Sequence, residues 1–203
     1  MARLSDEQRT VLLLPVAKRR VLVAQGQAHL PAYDVVAYLN RVFGIEFWDR
    51  EILEMTLMAE DGVEKGGRVG WTTTFLCRVR LTIRNTDGEV VKISDGCATG
   101  TASNLPSRGD ALDFACKNAD SYALKRAAKD LGDQFGLSLY RKGSLEPVVR
   151  ESVAYGNQLV TPDPEATTIG NDERVEPEVV QADAKTRLLK KMEAISERTT
   201  GKD

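Results

Sequence analysis

The chain has 203 residues, and its 28 lysines and arginines against 30 aspartates and glutamates give a net charge of −2. Apolar residues make up 42 % of it, which is enough for a hydrophobic core, and no stretch approaches the ~20 apolar residues of a membrane span. The apolar run before Pro15 is too short for a secretory signal. We therefore expect a soluble, cytoplasmic protein that does not contact a membrane.

Residues that usually carry catalytic or metal chemistry are scarce. The three cysteines (Cys77, Cys97 and Cys116) are far apart and odd in number, which argues against a disulfide framework and a cysteine-type zinc site. His29 is the only histidine, and no motif supports a catalytic role for it. The chain has neither the ATPase-type phosphate loop nor the dinucleotide-binding glycine pattern. We expect no metal, no cofactor and no enzymatic activity.

Two helices are predicted before any strand. Residues 4–16 begin with Ser5 and acidic residues and end at Pro15, which predicts the first helix. The basic cluster at residues 18–20 then enters a loop that contains glycine and glutamine. Pro31 opens the second helix and Gly44 caps it, and its apolar face consists of Val35, Val36, Leu39, Val42 and Phe43.

The middle of the chain predicts an antiparallel meander. Alternating polarity predicts a half-buried strand over residues 51–60, and the glycines of residues 61–70 predict a hairpin loop. Residues 71–84 are rich in β-branched and aromatic residues, and residues 89–94 return as a third strand. One face of the second strand is apolar, and the other carries Arg78, Arg80, Thr82 and Arg84. Residues 96–109 read as a loop of small polar residues.

A long amphipathic helix is predicted over residues 110–141, with Asp110 at its N-cap and Gly136 at its end. Its apolar face consists of Leu112, Cys116, Ala119, Ala123, Ala127 and Leu131. Lys125 and Lys129 share a face, with Arg126 beside them. On the helix alone, a solvated basic surface is the ordinary interpretation. Strands followed by this helix predict an α+β fold, a β-β-β-α core with N-terminal helices.

The character of the sequence changes after residue 143. Residues 144–180 are acidic, contain prolines and predict a linker. Residues 181–203 form a tail in which Ala184, Leu188, Met192 and Ile195 predict a short amphipathic helix. Residues 1–143 are therefore the predicted functional domain.

Three segments carry a resemblance to a known family. ALKRAAKDLGDQFGLSLYRKG, over residues 123–143, is similar to a Gly-Leu-Lys-Arg-Ala…Phe-Gly…Leu-Gly pattern. YDVVAYLNRVFGIEFW, over residues 33–48, is similar to a helix that ends in Asn-x-x-Phe-Gly before a tryptophan, and the strand over residues 75–88 ends in Asp-Gly as expected. Over residues 15–143 the chain thus resembles the Rad-fifty-two (Rad52) family of single-strand DNA annealing proteins, particularly its phage and actinobacterial members.

The resemblance implies a closed homo-oligomeric ring with single-stranded DNA in a basic groove. Lys125 and Arg126 match the Lys-Arg pair of that groove, and Lys129 matches a basic position one turn on. Arg19 or Arg20 lies near an N-terminal groove arginine, and these two stay alternatives. Arg108 lies near a loop lysine of a second, outer DNA site. The strand alternation, and not the resemblance, adds Arg78 and Arg80 as DNA-binding candidates.

The predicted function is annealing of complementary single strands in homologous recombination and DNA repair, without ATP. Residues 61–70 differ from the eukaryotic members, and no recognisable docking segment follows residue 143, so a single-strand-binding protein or a recombinase is only a candidate partner of the tail. The rival interpretations are an oligomeric assembly or adaptor protein whose basic face is only solvated, and an enzyme whose active site has no sequence motif.

Overall fold

The structure is a computed structural model that describes residues 2–24 and 26–149. The helices are α1 (Asp6–Leu13), α2 (Ala32–Phe43) and α3 (Arg108–Ala128). The strands are β1 (Leu22–Ala24), β2 (Gln27–His29), β3 (Trp48–Lys65), β4 (Arg68–Arg84) and β5 (Val90–Leu105). The antiparallel sheet β3-β4-β5 packs against α3 and the N-terminal helices, which confirms the predicted α+β class and its β-β-β-α core.

The predicted hairpin loop over residues 61–70 is wrong, because both strands continue through it. β3 and β4 stay paired until Lys65 lies opposite Arg68, and only Gly66 and Gly67 form the turn. Both glycines have positive φ values, +62° and +74°, which a side chain would oppose. Glycines in the flanking strands gave the segment its loop-like composition.

The predicted loop over residues 96–109 is also largely wrong, because β5 runs on to Leu105. Glycine and alanine alternate with small, mostly polar residues in this stretch, and Gly96, Ala98, Gly100 and Ala102 are buried. A Cβ atom on Gly96 would overlap the backbone of α3 at residues 123 and 127. Glycine is therefore needed at this position for the helix to lie directly on the strand.

Helix α3 is shorter than predicted and starts earlier. Its N-cap is Ser107, whose Oγ accepts a hydrogen bond of 3.2 Å from the Asp110 backbone N–H, so the predicted cap at Asp110 is wrong. The buried stripe consists of five alanines at four-residue spacing: Ala111, Ala115, Ala119, Ala123 and Ala127. The predicted stripe members Leu112 and Cys116 are only half-buried. We call these alanines and the small residues of β5 the small-residue seam.

The chain leaves the helix at Ala128 and does not continue to residue 141. Three short 3-10 turns follow, over Lys129–Leu131, Asp133–Phe135 and Ser138–Tyr140. Gly132 and Gly136, with φ values of +119° and +87°, separate these turns. Left-handed or extended glycine conformations cannot continue an α-helix, so the break is fixed by Gly132 and not first by Gly136.

The N-terminal part follows its sequence signals closely. Ser5 and Gln8 form a reciprocal capping box at the start of α1, and α2 ends at Gly44 with φ +88°, as predicted. The loop predicted after the basic cluster is instead the short hairpin β1-β2. Leu39 and Phe43 of α2 enter the same apolar core as β4 and the 3-10 turns. No helix in the described part of the chain is long and apolar enough to cross a membrane.

The chain continues to pack on the core after Gly143. Leu145 and Pro147 are buried, and the Val148 backbone N–H donates to Asp133 Oδ2 at 2.8 Å. Burial raises the pKa of the Asp133 carboxyl. Hydrogen bonds from backbone N–H groups, of which that of Val148 is one, oppose this rise. The domain boundary at residue 143 stays a prediction, and the helix predicted near residues 181–198 lies outside the described residues.

Candidate nucleic-acid interface

The last turn of α3 and the 3-10 turn after it present three cations, Lys125, Arg126 and Lys129, which we call the groove cations. Lys125 and Lys129 lie one helical turn apart, and Arg126 is offset by about 100° around the helix. The negative end of the helix dipole stabilises cations at this position by about 0.3–1 kcal/mol. In the structure the three predicted cations lie at the C-terminal end of the helix, and their role in DNA binding stays a prediction.

Lys125 is the groove cation most removed from water. Its side chain is half-buried, and this burial lowers the pKa of the Lys125 amine below the usual value of 10.5. Within the described residues, no carboxylate lies within salt-bridge distance of it. A half-buried cation without a carboxylate partner is stabilised when an anion approaches.

Two tyrosines alternate with the groove cations. The Lys125 amine lies 4.7 Å from the centroid of the Tyr122 ring, and the Lys129 amine lies 5.4 Å from that of Tyr140. The two tyrosine residues are 44 % and 68 % exposed, so part of each side chain is accessible to a ligand. Cations interleaved with exposed aromatic rings are typical of surfaces that bind single-stranded nucleic acid.

Sequence reasoning missed both tyrosines. The i, i+3 spacing of Tyr122 and Lys125 on one helix was a usable signal. Tyr140 carried no such signal, because it meets Lys129 only after the chain has turned back through two 3-10 turns.

Arg126 and Lys129 have internal contacts, but neither forms a close pair with a carboxylate in the described residues. The Arg126 Nη1 donates to the Cys97 carbonyl oxygen on β5 at 2.6 Å, so its guanidinium lies over the edge strand of the sheet. The Lys129 amine lies 3.9 Å from Asp130 Oδ1, and the other oxygen of that carboxylate accepts a hydrogen bond from the Ser94 hydroxyl. Neither contact neutralises its cation as a close bidentate pair would.

The two N-terminal alternatives differ sharply in environment. Arg20 donates to both carboxylate oxygens of Asp34 at 2.8–3.2 Å and to the side-chain oxygen of Gln134 at 2.7 Å. Its guanidinium also lies 3.6 Å from the centroid of the Tyr38 ring, and its side chain is 11 % exposed. Arg19 is exposed. The geometry therefore favours Arg19 as the residue able to reach a phosphate, and it gives Arg20 a structural role.

Arg78 and Arg80 lie on β4, on the face of the sheet that points away from the buried core. Alternate residues of β4, including Val79 and Leu81, are buried against the core, so the two arginines point to the opposite face of the sheet. Arg80 makes a bidentate pair with Asp95 at 2.8 Å for both bonds, which lowers the pKa of the Asp95 carboxyl. Arg78 lies opposite Glu54 in the sheet. On its other side Arg78 lies opposite Cys97, whose carbonyl oxygen accepts the hydrogen bond from Arg126.

Arg108 lies at the opposite end of α3 from the groove cations. The helix rises 1.5 Å per residue, so Arg108 and Lys125 are about 25 Å apart along its axis. It pairs with both carboxylate oxygens of Glu60 at 2.6 and 3.0 Å, and its hydrogen bond lowers the pKa of that carboxyl. Its guanidinium lies 5.6 Å from the centroid of the Trp71 ring. Arg108 therefore belongs to a separate surface.

Comparison with known proteins agrees with the sequence resemblance. The family model for Rad52/22 family double-strand break repair proteins matches residues 15–157. The chain is 27 % identical over 133 residues to the DNA repair and recombination protein RAD52 of Kluyveromyces lactis, and this covers 66 % of this chain and 28 % of that protein. It is 28 % identical over 121 residues to the protein of the same name from Eremothecium gossypii, covering 60 % and 26 %. The match thus spans about a quarter of the length of these relatives.

Proposed function

The chain belongs to the Rad52/22 family of double-strand break repair proteins, and from that premise we propose that it binds single-stranded DNA through the groove cations and anneals complementary strands. Family membership supports a role in DNA repair and recombination. The finer proposal concerns which end of the domain holds the strand and how annealing is driven.

The observation that carries the proposal is the half-buried Lys125, which lacks a carboxylate partner in the described part of the chain and stands beside Lys129 and Arg126. Like charges one turn apart repel by a few tenths of a kcal/mol, and a phosphate between them reverses that interaction. Phosphate contacts carry little sequence information, so binding is non-specific and weakens with salt. Most bases of the strand remain available for pairing.

Base pairing supplies the free energy of annealing, at about 1.4 kcal/mol per stacked step. The proposal therefore needs neither ATP nor a catalytic residue. Three cations neutralise at most three phosphates. The expected slope of log affinity against log salt concentration is therefore only about −2 per subunit. We propose that the chain assembles into a homo-oligomeric ring, because repeating the groove raises the effective concentration of binding sites along one strand.

The decisive experiment replaces Lys125 and Arg126 together with alanine. We expect annealing of two complementary oligonucleotides, without nucleotide cofactor, to be abolished while the native oligomer mass is unchanged. Lys117→Ala is the matched control, because Lys117 is exposed on the same helix and pairs with Asp113 one turn earlier. Wild-type annealing rates in the double variant at low salt would show that the groove is assigned to the wrong residues.

The rival interpretation is an oligomeric adaptor protein whose basic surface is only solvated. It predicts that a fluorescent single-stranded oligonucleotide shows no salt-sensitive change in anisotropy when the wild-type protein is added. A single-strand-binding protein or a recombinase as partner of residues 181–203 also stays a prediction.

A further inference from the structure

A cavity of about 720 Å³ opens beside Lys125. The hairpin β1-β2 forms one wall through Val23 and Ala28, and residues 135–143 form the other wall through Leu139 and Tyr140. This volume lies within the range of about 300–1,000 Å³ that is usual for small-molecule sites. The cavity is therefore large enough for one flat ring system with its attached sugar.

The lining of the cavity combines apolar core residues with basic and uncharged polar side chains. Leu30, Val35 and Phe135 are buried core residues with 1–4 % exposure. Lys125 and Lys142 supply two cations, and no carboxylate is among the lining residues. These features favour a ligand with an uncharged planar body and an attached anion, and they disfavour a free cation or a basic peptide.

We infer that this cavity receives one nucleobase of the bound strand in each subunit, an inference that rests on the proposed function. Lys125 belongs both to the groove cations and to the cavity lining, so a phosphate held by it lies where the cavity opens. Tyr140 also lines the cavity and has a ring that is 68 % exposed, which offers a stacking surface for the entering base.

The mouth of the cavity also carries polar groups that suit a base edge. Gln27 supplies an amide that both donates and accepts hydrogen bonds, and His29 supplies a ring whose Nδ1 lies 3.3 Å from the Gln27 carbonyl oxygen. A base inserted there is withdrawn from pairing, while its neighbours on the groove cations stay exposed. The strand would then be displayed in short segments separated by one inserted base per subunit.

The test compares two single-stranded probes of equal length and charge, a normal oligonucleotide and one in which every position is abasic. Wild-type protein is expected to bind the normal probe about tenfold more tightly, as expected when one stacked base adds to phosphate contacts. Ala28→Trp fills the cavity without changing charge. We expect it to reduce binding of the normal probe to the level of the abasic probe, with the salt dependence of binding unchanged.

Ala28→Ser is the matched control, because it keeps the cavity open at the same position. Tyr140→Ala provides a second variant at an exposed residue, where the fold is not at risk, and it should also reduce discrimination between the probes. A folded Ala28→Trp protein that still prefers the normal probe tenfold overturns the inference. Binding of neither probe by the wild-type protein would instead overturn the proposed function, so the two failures are distinguishable.

Discussion

The end of helix α3 and the outer face of the sheet carry similar sets of cations in very different surroundings. On the outer face, Arg80 is held by Asp95 in two bonds of 2.8 Å, and Arg84 lies 3.3 Å from Asp49. At the end of α3, the nearest salt-bridge contact in the described residues is the 3.9 Å approach of Lys129 to Asp130. The two regions therefore differ in that Arg80 and Arg84 are paired with carboxylates, although the exposed Arg78 of the same sheet face has no carboxylate pair among the described residues.

This difference shows that the partners of a cation matter more than its presence in the sequence. An arginine already paired with a carboxylate must lose that pair before it binds phosphate, so its net contribution to DNA binding is small. A half-buried lysine without such a partner gains the full benefit of the phosphate. This difference is the reason that the proposed DNA site is at the end of α3, where Lys125 has no carboxylate partner in the described residues, and not at the paired arginines of the sheet face.

The largest predicted effect concerns the buried and fully paired Arg20. Arg20→Ala leaves Asp34 partly buried without its cation, and we expect the free energy of unfolding to fall by about 3 kcal/mol. Arg19→Ala is the matched neighbour, for which a change within about 0.5 kcal/mol is expected because the residue is exposed. Urea unfolding monitored by circular dichroism measures both. Equal destabilisation by the two substitutions would contradict the structural role given to Arg20.

The second prediction compares the two surfaces at equal charge. Lys125→Ala with Lys129→Ala removes two phosphate contacts, so the slope of log affinity against log salt should become shallower by about 1.4. Arg78→Ala with Arg80→Ala removes the same charge from the sheet face, and the slope should not change. Anisotropy titrations of a labelled oligonucleotide at several salt concentrations provide the slopes. A shallower slope for the arginine pair would move the DNA site to the sheet.

The smallest predicted effect is a pH dependence that arises from Lys125. Burial lowers its pKa in the free protein, and a bound phosphate raises it again, so binding takes up a proton between the two pKa values. Affinity should be constant below the lowered pKa and should fall as pH rises through that window. Lys125→Arg keeps the charge at all these pH values. This variant should remove the decline, and a decline of unchanged size would assign it to another group.

The sequence predicted those elements whose signals are local. Pro31 and Gly44 bracket α2, and the alternation of Val79, Arg80 and Leu81 identifies β4. The groove cations followed from helical spacing in the last turns of α3. The end of that helix at Ala128 was missed because residues 129–131 are acceptable helix formers, and only Gly132 forces the break.

Pairings between distant strands could not be predicted in the same way. Arg80 meets Asp95 only because β4 and β5 pair in a particular register, and β5 was predicted to end before Gly96. Its continuation alternates glycine and alanine with small polar residues, and glycine and alanine are too weakly hydrophobic and too poor as strand formers for this alternation to indicate a strand. The ion pair between Arg80 and Asp95 could therefore not be predicted without the register of β4 and β5.

The small-residue seam has a consequence for the position of the groove cations. A Cβ atom on Gly96 or Gly100 would overlap the backbone of α3, so the helix lies in direct backbone contact with β5. The groove cations lie at the end of that helix, so this direct contact sets the distance of their backbone from the edge strand β5. In the proposed annealing function, this surface is a fixed template, and the DNA backbone conforms to it before and after pairing.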